Sequence, residues 1–245
     1  MRFQDKVVII TGGASGIGLA IAKRLASEGA RIVLADINQA ALDTAGPEVQ
    51  AAGAPDVWGS VCNVADENQV IATVQGALAR YGRLDVIVNN AGLMQFKALE
   101  LLTGDDWQRI LGVDLLGTFY FTKQAFLHMK PGGNVVNVAS IHAIETEPLV
   151  APYAAAKAAV LSLTRSSAIE GKPKGLRVNA VLPGAIDTPM LWDNPNVKSG
   201  VEKINPADVG KPEDVAALIA YLASDDAAFV QGAEVRVDGG RLDNL

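Results

Sequence analysis

Short, β-branched apolar runs alternate with longer helical patterns from one end of the 245-residue chain to the other. The runs fall near residues 6–11, 31–35, 56–61, 84–89, 133–139, 176–182 and 233–237. Most are continuously apolar instead of alternating, as in strands that helices cover on both faces, which is the pattern of a parallel sheet. The stretches between them repeat with helical period. Val70, Val74 and Leu78 recur at i, i+4 and i+8 over 67–80, behind Asp66 as a helix cap. Right-handed βαβ crossovers then generate a doubly wound α/β sheet. The length suits one domain over residues 1–245, with no repeat and no low-complexity linker. Residues 188–211, rich in Pro, Asn and Gly, are a long excursion of the kind that serves as a substrate lid.

Composition narrows the function classes. Hydrophobic residues make up 49% and charged residues 20%, which suits a globular protein with a sizeable core. The formal net charge of −6, without a basic run, argues against nucleic acid and anionic membrane as partners. Met1 to Lys6 lead at once into the first strand, so no signal peptide is expected and the expected compartment is the cytoplasm. The single cysteine, Cys62, reads as a small buried hydrophobe. Two histidines, His128 and His142, and no Cys/His cluster give no metal site.

Two constellations carry chemistry. The first is Thr11-Gly12-Gly13-Ala14-Ser15-Gly16-Ile17-Gly18, a tight turn between strand and helix. Its glycines let a pyrophosphate approach the backbone, and the helix N-terminus supplies N–H groups and partial positive charge. Asp36 closes the second strand, where an acid accepts hydrogen bonds from ribose hydroxyls and repels a 2′-phosphate. Ser15 stands where a basic residue would meet that phosphate, so NAD is the expected cofactor. Asn89-Asn90-Ala91-Gly92 follows the fourth strand, at a strand end where ligands bind. Its small residues suit close passage by the nicotinamide ribose, and its asparagines suit ties between neighbouring turns.

The second constellation is Ser140, Tyr153 and Lys157. Ser140 ends the fifth strand. Pro152 suits a first helical turn, so Tyr153 starts a helix and Lys157 lies one turn on, on the same face. A phenol titrates near ~10 and is a poor base at neutral pH unless positive charge stabilises the phenolate. An ammonium one turn away supplies such charge, and a serine hydroxyl can hold the substrate oxygen. A dinucleotide beside such a tyrosine implies hydride transfer to a carbonyl or from an alcohol.

In this order, with Pro183-Gly184 and Val237-Asp238-Gly239-Gly240 behind them, these motifs closely resemble the short-chain dehydrogenase/reductase family over nearly the whole chain. The resemblance implies a three-layer, Rossmann-type fold on a seven-stranded parallel sheet, assembled as a homotetramer. It implies Tyr153 as general acid/base, Lys157 on the nicotinamide ribose and Ser140 orienting the substrate. It adds Gly12, Ser15, Gly16, Ile17, Gly18, Asn63, Val64, Asn90, Ala91, Gly92, Pro183, Gly184, Ile186 and Thr188 to the cofactor site. Two positions depart from the family pattern. Asn63 replaces the aspartate that accepts from the adenine amino group. Asp114 replaces the fourth catalytic residue, an asparagine that holds a water between itself and the lysine.

The substrate pocket is expected between Met94–Gln95, residues 141–150 and the 188–211 excursion. Gln95, His142 and Trp192 are the candidate substrate-binding residues, with His142 turned either into the pocket or to solvent. A small secondary alcohol or its ketone (polyol or cyclic) fits a chain without a strong basic dock. A reductase of 3-oxoacyl groups on an acidic carrier protein is the alternative, with Lys130, Lys172 and Lys174 as its conceivable dock. A non-catalytic dinucleotide-binding scaffold is the reading from a different class. The apolar stretch Phe119–Phe126 and the small residues Ala155, Ala158, Ala159 and Ser162 suit close helix packing between subunits.

Overall fold

The computed structural model describes residues 1–200 and 203–241. The expected lid segment includes 201 and 202, and the expected domain ends at 242–245; those positions lie outside the described residues.

Seven strands form one parallel sheet in the order β3-β2-β1-β4-β5-β6-β7. They are β1 (Val7–Thr11), β2 (Arg31–Asp36), β3 (Val57–Val61), β4 (Val86–Asn89), β5 (Asn134–Val138), β6 (Arg177–Pro183) and β7 (Glu234–Val237). Each falls where the apolar runs placed it, with ends shifted by two residues at most. The helices are α1 (Gly16–Ser27), α2 (Gln39–Ala51), α3 (Glu67–Tyr81), α4 (Gly104–Leu111), α5 (Gly117–His128), α6 (Ala151–Gly171), α7 (Pro189–Trp192), α8 (Pro195–Ser199) and α9 (Pro212–Ala223). As expected, Asp66 caps α3, accepting from the backbone N–H groups of Asn68 and Gln69.

The period of two sorts each strand between two cores. Val8 and Ile10 of β1 face one layer, with Ile21 and Leu25 of α1, Leu42 of α2 and Ile219 of α9. Val7 and Ile9 face the other, with Val70 and Val74 of α3 and Phe121 of α5. Both faces of the central strands are covered, which is why β1 and β4 read as unbroken apolar runs, while the edge strands β3 and β7 are only partly buried. Each such side chain, fully buried, contributes roughly 1.5–3 kcal/mol.

The excursion is more ordered than its composition suggested. Pro189 and Pro195 each open a short helix, α7 and α8, at a position where the missing N–H costs nothing. Asn194, 4% exposed, and Asn196, 3% exposed, fasten this segment to the 141–150 loop. Asn194 donates to Glu147 and Asn196 to the Pro148 carbonyl.

The sheet order places the site. The chain runs outward from β1 to β3, then returns to lay β4 on the other side of β1. At that reversal the loops after β1 and β4 diverge, leaving a crevice at the C-terminal strand ends.

Candidate active site

A cavity of about 510 Å³ fills that crevice. The glycine turn forms one end of it. Gly12 and Gly16 hold positive φ, +59° and +50°. A Cβ on Gly18 would stand 2.0 Å from the Gly12 carbonyl oxygen, so only glycine lets α1 start so close beneath the turn. Gly12, Ser15, Gly16 and Ile17 line the cavity, and Gly18 supports them from below. The first turn of α1 leaves N–H groups without helical partners at this wall. These features fit a dinucleotide pyrophosphate.

Asp36, at the end of β2, lines the same wall. Its carboxylate accepts from the backbone N–H of Ala14 at 3.2 Å and of Asn38 at 3.1 Å. An acid fixed there suits ribose hydroxyls. Asn63 and Val64 line the cavity beyond it. Asn63 Oδ1 already accepts from the Ala65 N–H at 3.1 Å, and its second lone pair remains for a donor.

The turn after β4 is tied to the glycine turn. Thr11 Oγ1 accepts from the N–H groups of Asn90 and Ala91, both at 2.9 Å. Asn90 Nδ2 donates to the carbonyls of Thr11 and Gly12. Asn89 turns inward instead. It donates to Asn137 Oδ1 at 2.8 Å, and Asn137 donates to Thr164 Oγ1 at 2.8 Å. This buried chain clamps β4, β5 and α6 together, and so fixes the elements that carry Ser140 and Tyr153.

Pro152 lies in the first turn of α6, as the sequence predicts, and Tyr153 and Lys157 share one face. Both line the cavity, with Ser140 opposite. Ser140 Oγ accepts the His142 backbone N–H at 3.2 Å, which leaves its own proton to donate. Lys157 Nζ lies 5.5 Å from the Tyr153 ring centre and donates to the Val138 carbonyl at 3.1 Å.

Asp114 sits behind Lys157, with no exposed surface. Its segment, Gly112–Leu116, is a π-helical turn between α4 and α5. Such a turn inserts a residue into the helix and re-aims a side chain. Asp114 Oδ1 accepts from the Leu93 N–H at 2.9 Å. Oδ2 stands 3.4 Å from Lys157 Nζ. The family asparagine implied a water between this position and the lysine; the distance found is that of a direct ion pair. Gly92 makes room for it, since a Cβ there would lie 3.2 Å from both Asp114 Oδ2 and Lys157 Nζ.

Burial raises the proton affinity of Tyr153, and Asp114 adds to that; Lys157 and the Ser140 hydroxyl pull it back without cancelling it. Burial disfavours the charged form of Lys157, yet Asp114 and Tyr153 together hold its pKa above the ordinary value. Lys157 is thus an ammonium and Tyr153 a neutral phenol in the pocket as folded. Burial pushes the Asp114 carboxyl up, against the pull of Lys157 and the Leu93 N–H.

Asn90, Ala91, Gly92, Pro183, Gly184, Ile186 and Thr188 line the cavity, as expected. His142 lines it too, edge-on to Tyr153 with ring centres 5.9 Å apart, which settles its orientation in favour of the pocket. Gln95 and Trp192 are not part of the wall. Gln95 is drawn to the start of α4, where Asp106 closes a capping box with Thr103 and accepts from Gln95 Nε2 at 2.6 Å. Trp192 lies outward, 42% exposed, and donates to Asp187 at 2.7 Å. Asn194 and Arg241 also line the cavity, Asn194 from the expected excursion and Arg241 from directly behind the Val237–Gly240 motif, though neither was singled out as a site residue. Among the described residues no group of three His, Cys, Asp or Glu side chains is placed to hold a metal, and no helix is long and apolar enough to cross a membrane.

The comparisons with known proteins agree with this geometry. The family model described as Enoyl-(Acyl carrier protein) reductase matches residues 12–241. The chain belongs to the short-chain dehydrogenase/reductase family, and it is an oxidoreductase of that family. It is 42% identical over 243 residues to cis-4-hydroxycyclohexanecarboxylate dehydrogenase of Sinomonas cyclohexanicum, covering 97% of both chains. It is 38% identical to 3-oxoacyl-(acyl-carrier-protein) reductase of Thermotoga maritima, covering 98% of this chain and 99% of that protein. The crystal structure of levodione reductase superposes with a TM-score of 0.92 at 37% identity, over 100% of both chains.

Proposed function

We propose that this protein is an NAD(H)-dependent dehydrogenase that interconverts a small secondary alcohol, polyol or cyclic, with its ketone. One observation carries the reading. Ser140, Tyr153 and Lys157 converge on the same cavity that the glycine turn and Asp36 line. A nicotinamide dinucleotide bound there supplies the hydride acceptor or donor. In ketone reduction the neutral Tyr153 phenol delivers a proton to the carbonyl oxygen, which the Ser140 O–H turns to hold. In alcohol oxidation Tyr153 receives that proton, and Lys157 steadies the phenolate. Asp36 selects NAD over NADP, because a fixed carboxylate accepts ribose hydroxyls and repels a 2′-phosphate. One similar protein is named for a hydroxycyclohexane acid, in line with a cyclic substrate here.

The carrier-protein alternative is weakened by the placement of its dock. Lys130, Lys172 and Lys174 do sit in neighbouring loops, joined by the Gly132 N–H to the Gly175 carbonyl. Those loops precede β5 and β6, at the opposite end of the strands from the cavity.

The chain is proposed to work as one dinucleotide-binding domain over 1–245, with 188–211 as its lid, in the cytoplasm. It is proposed to assemble as a homotetramer. Phe119 and Leu127 of α5 and Ile169 of α6 are exposed apolar residues, and Ala155, Ala158 and Ser162 leave a low, exposed stripe along α6. Initial rates over a panel of secondary alcohols and ketones, with both dinucleotides, test the activity. No turnover with any of them would sink it. Sedimentation velocity tests the assembly.

A further inference from the structure

Three separate segments wall the cavity near Tyr153. Met94 comes from the loop after β4, His142 from the loop after β5, and Met190, Leu191 and Asn194 from the 188–211 excursion. The excursion is closed at its base by backbone bonds. The Asp187 N–H donates to the Gly210 carbonyl and the Gly210 N–H to the Ala185 carbonyl, both at 2.9 Å. Its two ends thus meet at one point, and the part that carries Asn194 needs a fastening of its own. Asn194 and Asn196 supply one. Both are buried, although Asp193, Pro195, Lys198 and Ser199 around them are exposed. A buried amide is costly unless it is hydrogen-bonded, and these are. Asn194 Oδ1 accepts the Asn196 N–H at 2.8 Å, Asn194 Nδ2 donates to Glu147 Oε1 at 3.0 Å, and Asn196 Nδ2 donates to the Pro148 carbonyl at 3.1 Å.

The receiving loop is strained at the next residue. Leu149 holds φ at +74°, the left-handed region that a leucine avoids. Such a conformation persists where the surroundings over-determine it. Here they hold both of its peptide units. Asn196 fixes the Pro148 carbonyl on one side. On the other, the Leu149 carbonyl accepts the Lys97 N–H at 2.9 Å, and Lys97 Nζ is tied to Asp106 at 2.7 Å. The excursion and the loop after β4 therefore grip the same strained residue from opposite sides. Loss of the Asn196 bond removes one grip and lets Leu149 leave the left-handed region, so the two loops part together.

We propose that Asn196 is a positioning residue for the reaction. Through Pro148 and the strained Leu149 it latches the excursion to the loops after β4 and β5, and so holds Met190, Leu191 and Asn194 as a wall against the bound substrate. Asn196 is not itself part of that wall, so it acts through the residues it fastens. This rests on the dehydrogenase reading above.

The test uses Asn196→Ala, which removes the side chain, and Asn196→Asp, which keeps its size and removes the donor. Amide hydrogen exchange of the NAD-bound protein and steady-state kinetics, with an alcohol that the parent oxidises, are the two readouts. Peptides covering 147–149 and 189–199 should exchange about tenfold faster in both variants, the worth of one hydrogen bond, while those of β1 and α1 keep the parent's rate. KM for the alcohol should rise about tenfold with kcat close to that of the parent. Glu147→Gln, which keeps an acceptor for Asn194, should stay near the parent, whereas Glu147→Ala should follow the Asn196 variants. An unchanged KM in both Asn196 variants overturns the inference, as does faster exchange over 189–199 with 147–149 unaffected. A fall in kcat at constant KM, with exchange raised across the whole chain, marks a merely structural role and overturns it too. If the parent turns over and the variants match it, the dehydrogenase reading stands and this inference falls. If no secondary alcohol or ketone reacts with either dinucleotide, both fall.

Discussion

Replacing Asp114 tests the least family-like part of the site. The Asp114 and Lys157 side chains are 0% and 4% exposed, with Oδ2 and Nζ 3.4 Å apart. At an effective dielectric near 20, that separation corresponds to about 5 kcal/mol of attraction. Desolvation of both ions offsets much of it in the folded protein, but removal of one partner exposes the cost of the other. Asp114→Ala leaves Lys157 buried with the Val138 carbonyl as its remaining hydrogen-bond partner, and also strips the Leu93 N–H of its acceptor. The expected loss of stability is about 3–5 kcal/mol. Asp114→Asn keeps a side chain of the same size and an acceptor for Leu93, so it should lose clearly less.

The two variants also separate charge from shape in catalysis. The negative charge of Asp114 helps to raise the proton affinity of Tyr153. Removing that charge while Lys157 stays protonated favours the phenolate. The rise of kcat for alcohol oxidation with pH should therefore move to lower pH in Asp114→Asn. Urea unfolding for the three forms gives the stability difference, and kcat against pH gives the second. An alanine variant as stable as the parent, with the parent's pH profile, would remove Asp114 from both roles. A profile displaced to higher pH in the asparagine variant would refute the electrostatic argument.

Tyr153→Phe should abolish nearly all turnover while NADH fluorescence still reports binding, since only the transferable proton is lost; activity within a few-fold of the parent rules Tyr153 out as the acid/base. Asp36→Ala should weaken NAD binding by roughly 1.5–3 kcal/mol and narrow the gap to NADP; a parent that uses both dinucleotides equally contradicts this role for Asp36. Gly18→Ala puts a methyl group 2.0 Å from the Gly12 carbonyl, so the turn must shift and dinucleotide affinity should fall sharply; unchanged affinity by calorimetry would show that the turn does not hold the pyrophosphate.

What was legible in the sequence was local. A strand buried on both faces is apolar nearly throughout, which is how β1 and β4 read, whereas the edge strands β3 and β7 are only partly buried and mix polar residues into their runs. A turn that admits only glycine, or a helix that begins with proline and repeats its functional face every fourth residue, is written within a dozen positions. Gln95 and Trp192 lie off the cavity wall for the opposite reason. Both lie in segments expected near the substrate, but Asp106 and Asp187 capture their polar ends, and that choice is made by geometry between neighbouring turns. Asn194 and Arg241 reach the cavity from segments the sequence did mark, the 188–211 excursion and the stretch behind Gly240, but no period or spacing singles out those two side chains within them. Asp114 stands between the two cases. Its sequence context marks the position, and the missing amide marks a difference. What the carboxylate does depends on a π-helical turn and on Gly92, which together bring it against Lys157. A charge is readable one residue at a time, whereas its effect on Tyr153 depends on distances that only the folded chain sets.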